Sequence, residues 1–352
     1  MTFPALLALP GDPDTPTGGY VYDARVRAAA PAAGLSLGLL PLPGAFPDAG
    51  AADIDAALAA LARADAPLLI DGLALGVLPG HRIAALAQPV VALLHHPLGL
   101  ETGIPPARRD AMLLVEAEAL AACVHVITTS RTTADTAIAL LGVPPEKITV
   151  AAPGLDRAPA ALRRGAPPMI LGVGTISRRK GWDVLANALA RIADLAWRCE
   201  IVGPDDREPD AAAALRAQIA ELTRADPRLA GRIRLTGALD SAGLHAAYQG
   251  ADLFCLPSRY EGYGMVVAEA MAHGLPVVCS AAGALPEAAG EAGVLVPPDD
   301  PAALAGALRA LLTDRAEADR RAAASHARAH ALPGWNATAA IIAGVMRRYG
   351  AP

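Results

Sequence analysis

The sequence predicts an α/β protein built as two Rossmann-like, doubly wound parallel-sheet domains, and three observations lead there. Short apolar runs alternate with longer Ala/Leu/Arg-rich segments along most of the chain, the pattern of successive βαβ units. The 352 residues favour two domains over one at about 100–200 residues per domain. Near the middle, Ala151–Pro168 carries four prolines and no clean periodicity, so it reads as a linker.

In the first half, strands are predicted at Ala5–Leu9, Leu35–Leu39, Leu68–Asp71, Val90–Leu94, Val124–Thr128 and Ile148–Val150, with helices at Ile54–Ala64, Pro106–Ala121 and Thr132–Leu141. In the second half, strands are predicted at Met169–Val173, Cys199–Val202, Ile233–Thr236, Leu253–Leu256, Val277–Cys279 and Val294–Val296. Helices fall between them at Asp183–Ile192, Ala211–Arg224, Ser241–Gln249 and Val266–His273. Three further helices follow, Pro301–Thr313, Ala316–Ala331 and Trp335–Tyr349. The expected division is residues 1–157, residues 158–330, and a C-terminal helix within 331–352 that crosses back to brace the first domain. Two such domains are expected to face a central cleft at the carboxyl ends of their strands, where ligands bind in these folds.

Composition removes several function classes. The 30 Lys and Arg against 35 Asp and Glu leave a net charge of −5, and the 3 Phe, 3 Trp and 6 Tyr offer few stacking platforms. A nucleic-acid binder needs a basic stripe and exposed rings, so none is expected here. Residues 1–150 hold 8 basic and 14 acidic side chains, whereas residues 151–352 hold 22 and 21. Anionic membranes should therefore repel the first half. Ala-rich stretches are broken by Arg, Asp or Pro every few residues, so no integral membrane segment is expected. Cys123, Cys199, Cys255 and Cys279 stand apart among apolar neighbours and read as buried thiols of a reducing compartment. The expected location is the cytoplasm, and oligomeric state is not legible.

Two stretches carry chemistry. Ser258–Glu269 follows a strand directly, as a glycine-containing loop that becomes a helix. Such a junction exposes backbone N–H groups and a positive dipole end, which suits a phosphate. Gly262 and Gly264 let that backbone approach an anion. Treated as one helix, the eight residues from Glu261 to Glu269 leave their side chains roughly 80° apart, bordering one site. Carboxylates beside a phosphate site suit sugar hydroxyls better than they suit phosphate. The second stretch, Gly172–Asp183, crowds Arg178, Arg179 and Lys180 beyond a strand and a glycine turn. Lys180 is one of only two lysines, with Lys147, against 28 arginines. A compact charge stands where this chain habitually uses a planar one.

"VGTISRRKGWDVL" paired with "SRYEGYGMVVAEAMAHGLPVV", followed by "GVLVPPDDPAALAGAL", resembles the family 4 retaining glycosyltransferases of the GT-B fold. The likeness is strong over Met169–Thr313. It implies that Lys180 holds the nucleotide diphosphate, with Arg179 as a helper. It also implies that the N–H groups of Gly264, Met265 and Val266 cap the distal phosphate, with Gly262 and Tyr263 in the same loop. Glu261 would then bind donor-sugar hydroxyls and Glu269 the ribose. Thr175 stands in the donor site where the family commonly has Arg, and Arg178 or Arg259 would replace the missing cation. Thr17-Gly18-Gly19-Tyr20 resembles the family's N-terminal glycine loop, which closes over the donor phosphates or borders the acceptor, and Gly18 and Gly19 are the expected donor-binding residues there. His95, which matches better than His96, would lie near the reacting sugar as a catalytic residue. His125, His245 and His273 read as ordinary packing or surface residues.

The expected activity is a retaining transfer of a hexose from a UDP- or GDP-sugar to a hydroxyl of a soluble small-molecule or glycan acceptor. The donor is a substrate, and no cofactor is expected. Asp205-Asp206 and Asp299-Asp300 are adjacent pairs without Asp-x-Asp spacing, so no metal is expected. Lys180, neighbouring Arg and the helix start would neutralise the leaving diphosphate. The alternatives are a catalytically weak nucleotide-sugar-binding protein and a transferase acting on a membrane lipid or cell-envelope glycan.

Overall fold

The computed structural model describes residues 2–15 and 17–350; the outermost positions of the expected domains, 1 and 351–352, lie outside that set. The chain divides into two compact units, with breaks after Gly154 and after Leu332. Residues from Pro333 onward belong with the N-terminal unit.

The N-terminal unit holds β1 (Phe3–Pro10), β2 (Leu35–Leu42), β3 (Leu68–Asp71), β4 (Val90–Leu94), β5 (His125–Thr128) and β6 (Ile148–Val150). All pair parallel in the order β2-β1-β3-β4-β5-β6. Every residue of β3, β4 and β5 is buried, which is why these strands read as unbroken apolar runs. Side chains such as Leu58, Leu61, Ile70, Leu94 and Val126 form the core between strands and helices.

The last helix, Trp335–Tyr349, completes this unit. Trp335 packs edge-on against Tyr22 with ring centres 5.7 Å apart. Tyr349 stacks on His125 at 4.2 Å. The Thr338 hydroxyl donates to the Ala152 carbonyl at 2.7 Å, and Arg347 donates to that of Ala33 at 2.9 Å. Gly154 lies against the Trp335 backbone so closely that a Cβ there would collide with it.

The C-terminal unit holds β7 (Met169–Val173), β8 (Arg198–Val202), β9 (Ile233–Gly237), β10 (Leu253–Leu256), β11 (Val277–Ser280) and β12 (Val294–Val296). Their parallel order is β12-β11-β10-β7-β8-β9. In chain order this is 3-2-1-4-5-6, the Rossmann arrangement, whose switch point lies between its first and fourth strands, here β7 and β10. Gly172 on β7 makes room for Trp182, because a Cβ there would stand 2.7 Å from the indole. Trp182, Trp197 and Phe254 are fully enclosed. All four cysteines are buried free thiols. Among the described residues no helix is long and apolar enough to cross a membrane.

Candidate active site

The loops leaving β7 and β10 meet at the switch point of the C-terminal sheet. After β7 the chain turns at Gly174, with φ of 152°, whose missing side chain leaves room for the Lys180 stem 3.0 Å away. Arg178–Lys180 form a separate short turn that ends at Gly181 in the left-handed region, and the helix proper starts at Trp182. The basic cluster therefore precedes the helix rather than occupying its first turn.

Lys180 Nζ donates to Glu261 Oε1 at 2.7 Å across that switch point. Arg179 NH1 lies 3.2 Å from the same oxygen, and the Ser258 hydroxyl donates to it at 2.7 Å. Burial alone would raise the Glu261 pKa, but Lys180, then Arg179, together with the hydrogen bonds, pull it down to about 2. All three partners converge on Oε1, leaving Oε2 as the open acceptor. Gly283 supports this arrangement, since any Cβ there would strike the Glu261 backbone.

The helix Met265–Ala272 starts at Gly264, with φ of 95° and no side-chain cap. Its first N–H groups, at Met265 and Val266, follow directly on the Gly262–Gly264 loop. Glu261 therefore stands outside the helix, and the 80° wheel angle between it and Glu269 does not apply. A left-handed glycine separates the two carboxylates. Glu269 Oε2 accepts from the hydroxyl of the buried Tyr248 at 2.9 Å. Tyr248 in turn stacks on His273 with ring centres 4.8 Å apart. Burial first, then the Glu269 carboxylate, raises the Tyr248 pKa well above the ordinary range, so the phenol remains a donor. No sequence signal singled out Tyr248.

The remaining expected donor residues divide. Thr175 follows β7, and its carbonyl accepts from the Trp182 indole at 2.9 Å. The Tyr263 side chain is buried, and that burial chiefly pushes its phenol up to about 12. Arg259 is engaged by two acids. Its guanidinium grips both oxygens of Asp183 at 3.0 and 2.8 Å and reaches Asp299 at 2.7 Å. Arg178 is exposed.

In the N-terminal unit a glycine turn leaves β1, with Thr17 capping the helix Gly18–Ala29 through the Tyr20 N–H at 3.4 Å. His95, just past β4, lies beside Gly19, where a Cβ would approach its ring to 3.4 Å. Its Nε2 stands 3.3 Å from Asp23 and 3.1 Å from Asp71. These are ion-pair contacts, because Nε2 and both Asp23 oxygens are enclosed without an aligned hydrogen bond. Neither acid was anticipated, although Asp71 ends a fully apolar strand. Burial raises the Asp23 carboxyl above its ordinary range, and His95 pulls it part of the way back. For His95, burial favours the neutral ring, but the Asp23 carboxylate and then Asp71 outweigh it and raise its pKa. These three are the one group of three metal-capable side chains among the described residues, and His95 is the member able to carry positive charge. His96 instead faces Glu101 at 3.1 Å. His125 and His273 serve in packing, though His273 does so directly behind Tyr248.

Comparison with known proteins identifies the family. Residues 167–314 match the group 1 glycosyl transferases, and residues 25–158 match glycosyltransferase family 4. This chain belongs to the family 4 glycosyltransferases. A D-inositol 3-phosphate glycosyltransferase of Catenulispora acidiphila is 34% identical over 252 residues, covering 65% of this chain and 58% of that protein. Glycogen synthase of Mycobacterium tuberculosis is 33% identical over 282 residues, covering 76% of this chain and 66% of that enzyme. The chain thus spans less than two thirds of the length of these relatives. Among solved structures, sucrose-phosphate synthase from Thermosynechococcus elongatus aligns with a TM-score of 0.80 at 25% identity over 98% of both chains. Anabaena HepE in complex with UDP and glucose gives 0.76 at 20% identity, covering 98% of this chain and 100% of that one. Both show the GT-B fold.

Proposed function

We propose that this family 4 chain is a retaining glycosyltransferase that moves a hexose from a UDP- or GDP-sugar to a hydroxyl of a soluble small-molecule or glycan acceptor. The observation that carries the reading is the Lys180–Glu261 pair at the switch point, 2.7 Å apart and followed directly by an uncapped helix start. Breaking the bond between the sugar's anomeric carbon and phosphate builds negative charge on the departing diphosphate. Lys180, Arg179 and the N–H groups of Gly264, Met265 and Val266 form a preorganised set of donors for that charge. Glu261 Oε2 serves a sugar hydroxyl, and Glu269, held by Tyr248, serves the ribose. Gly18, Gly19 and His95 serve the reacting end of the substrate from the N-terminal unit. HepE, with UDP and glucose in its solved complex, makes UDP-glucose the first donor to try.

Because lysine and arginine supply the neutralising charge, the reaction needs no tightly bound metal. The test is release of UDP or GDP from a panel of nucleotide sugars, with and without a mixed acceptor extract, followed by mass spectrometry of the product. A mass gain of one hexose on an acceptor supports the reading. Tight nucleotide-sugar binding without any turnover would favour a binding protein instead.

A further inference from the structure

Two buried carboxylates in the N-terminal unit share one imidazole. Asp23 retains 1% of its exposure and Asp71 3%, and they come from different elements, the helix Gly18–Ala29 and the end of β3. One Asp71 oxygen accepts from the Leu73 N–H at 2.8 Å, whereas both Asp23 oxygens lack any hydrogen bond. A carboxylate so enclosed stays ionised only if a cation faces it.

The surroundings narrow the choice of cation. On the same helix, Arg27 acts on Asp23 only through its field. Tyr22 lies edge-on to the His95 ring at 5.2 Å and stays neutral, its pKa raised by burial and by Asp23. Beyond β4, His96 faces Glu101. Past β5, the hydroxyls of Thr129 and Thr133 point to the His95 carbonyl. The cation in contact with both acids is His95 itself.

We propose that Asp23 and Asp71 are positioning residues that fix His95 as an imidazolium with Nε2–H turned inward, so that Nδ1–H meets a substrate oxygen as a donor and never as a base. Geometry supplies the orientation. Nε2 lies within 3.3 Å of Asp23 and 3.1 Å of Asp71, while the Tyr22 ring blocks one side. Gly19 permits the close approach of the ring to the glycine turn. The His95 side chain keeps 18% of its exposure while Nε2 is enclosed, which leaves Nδ1 as the ring nitrogen for a substrate. Burial is the largest single influence on the ring and favours its neutral form, but the contacts with Asp23 and Asp71 together outweigh it. The proposal rests on the glycosyltransferase reading for its substrate, but not for the state of the ring.

Nitrogen-detected NMR of the full chain tests the ring directly, with His95 assigned by comparison with His95→Gln. Wild-type His95 should remain doubly protonated through pH 8, against about 6.5 for an ordinary histidine. Asp23→Asn and Asp71→Asn should both return it toward neutrality, Asp23→Asn the further. UDP release from UDP-glucose gives the second readout. With the ring titrating near pH 7, its protonated fraction falls about tenfold between pH 6 and 8. Asp23→Asn should therefore lose activity relative to wild type by that factor at pH 8 and recover at pH 6. Loss by the same factor at both pH values would indicate a merely structural role and overturn the proposal. So would a wild-type His95 that titrates near 6.5, even with robust turnover. If Asp23→Asn does not fold, Asp71→Asn and the wild-type titration decide. A persistent imidazolium without any UDP release would refute the proposed function and leave this assignment standing.

Discussion

Replacing Lys180 by Ala should separate two magnitudes that the switch-point geometry makes distinct. The Glu261 carboxyl is drawn from an ordinary 4.5 to about 2, which corresponds to about 3 kcal/mol of stability linked to its ionisation. Lys180 is the largest of the lowering influences, while Arg179 and Ser258 remain on the same oxygen in the variant. Its removal should therefore cost about 1–2 kcal/mol at pH 7. Because the folded pKa lies below the unfolded one, this stability is present above about pH 4.5 and disappears as pH falls toward 2. Urea unfolding should thus show a gap between variant and wild type at pH 7 that shrinks at pH 3.5. The catalytic loss should be larger. Removing a donor aimed at developing charge costs about 10²–10³ in rate, so UDP release should drop by that factor while the variant remains folded. A folded Lys180→Ala protein that releases UDP at nearly the wild-type rate would refute the leaving-group role. A stability gap that is constant from pH 7 to 3.5 would refute the coupling to Glu261.

Three further outcomes follow from the same site. Tyr248→Phe removes one hydrogen bond to a carboxylate, worth about 1.5 kcal/mol, so calorimetry should show UDP binding weakened by about tenfold, with KM for the donor raised and kcat little changed. Glu269→Ala should lower UDP affinity, whereas Glu261→Ala should leave it nearly intact and lower turnover; equal losses in calorimetry would reverse the assignment. Activity should survive exhaustive chelation with EDTA, since lysine and arginine supply the neutralising charge, and an absolute need for Mg²⁺ or Mn²⁺ would contradict that accounting.

How legible the molecule was depends on which force fixed each part. Leu68–Asp71, Val90–Leu94 and Leu253–Leu256 have the same bounds in sequence and structure, because burial on both faces demands an unbroken apolar run. The helices Gly72–Leu75, Gly80–Ile83 and Leu285–Ala289 are too short to show a period and were not anticipated. The Glu261–Glu269 spacing located the right loop, but not its shape. Where a helix begins depended on the left-handed conformation of Gly264, which spacing does not encode. Lys180 was legible as an oddity of composition. Tyr248, Asp23 and Asp71 were not, since each acts through a partner 21 to 72 residues away. An acid closing an all-apolar strand, as Asp71 does, is the one hint that a closer reading would have caught.

The seating of Trp335–Tyr349 on the N-terminal unit sets an order of events during synthesis. A ribosome adding about 5–20 residues per second needs about 10–40 s to travel from Gly154 to Tyr349. For that interval the sheet made first lacks its final helix, and Tyr22 and His125 lack the rings that cover them. The C-terminal unit, contiguous from Leu155 to Leu332, has all its residues before its predecessor does. The half made first is therefore finished last, and meanwhile its uncovered apolar seat is open to chaperones and to neighbouring nascent chains. Expression of residues 2–154 alone would make that vulnerable interval permanent.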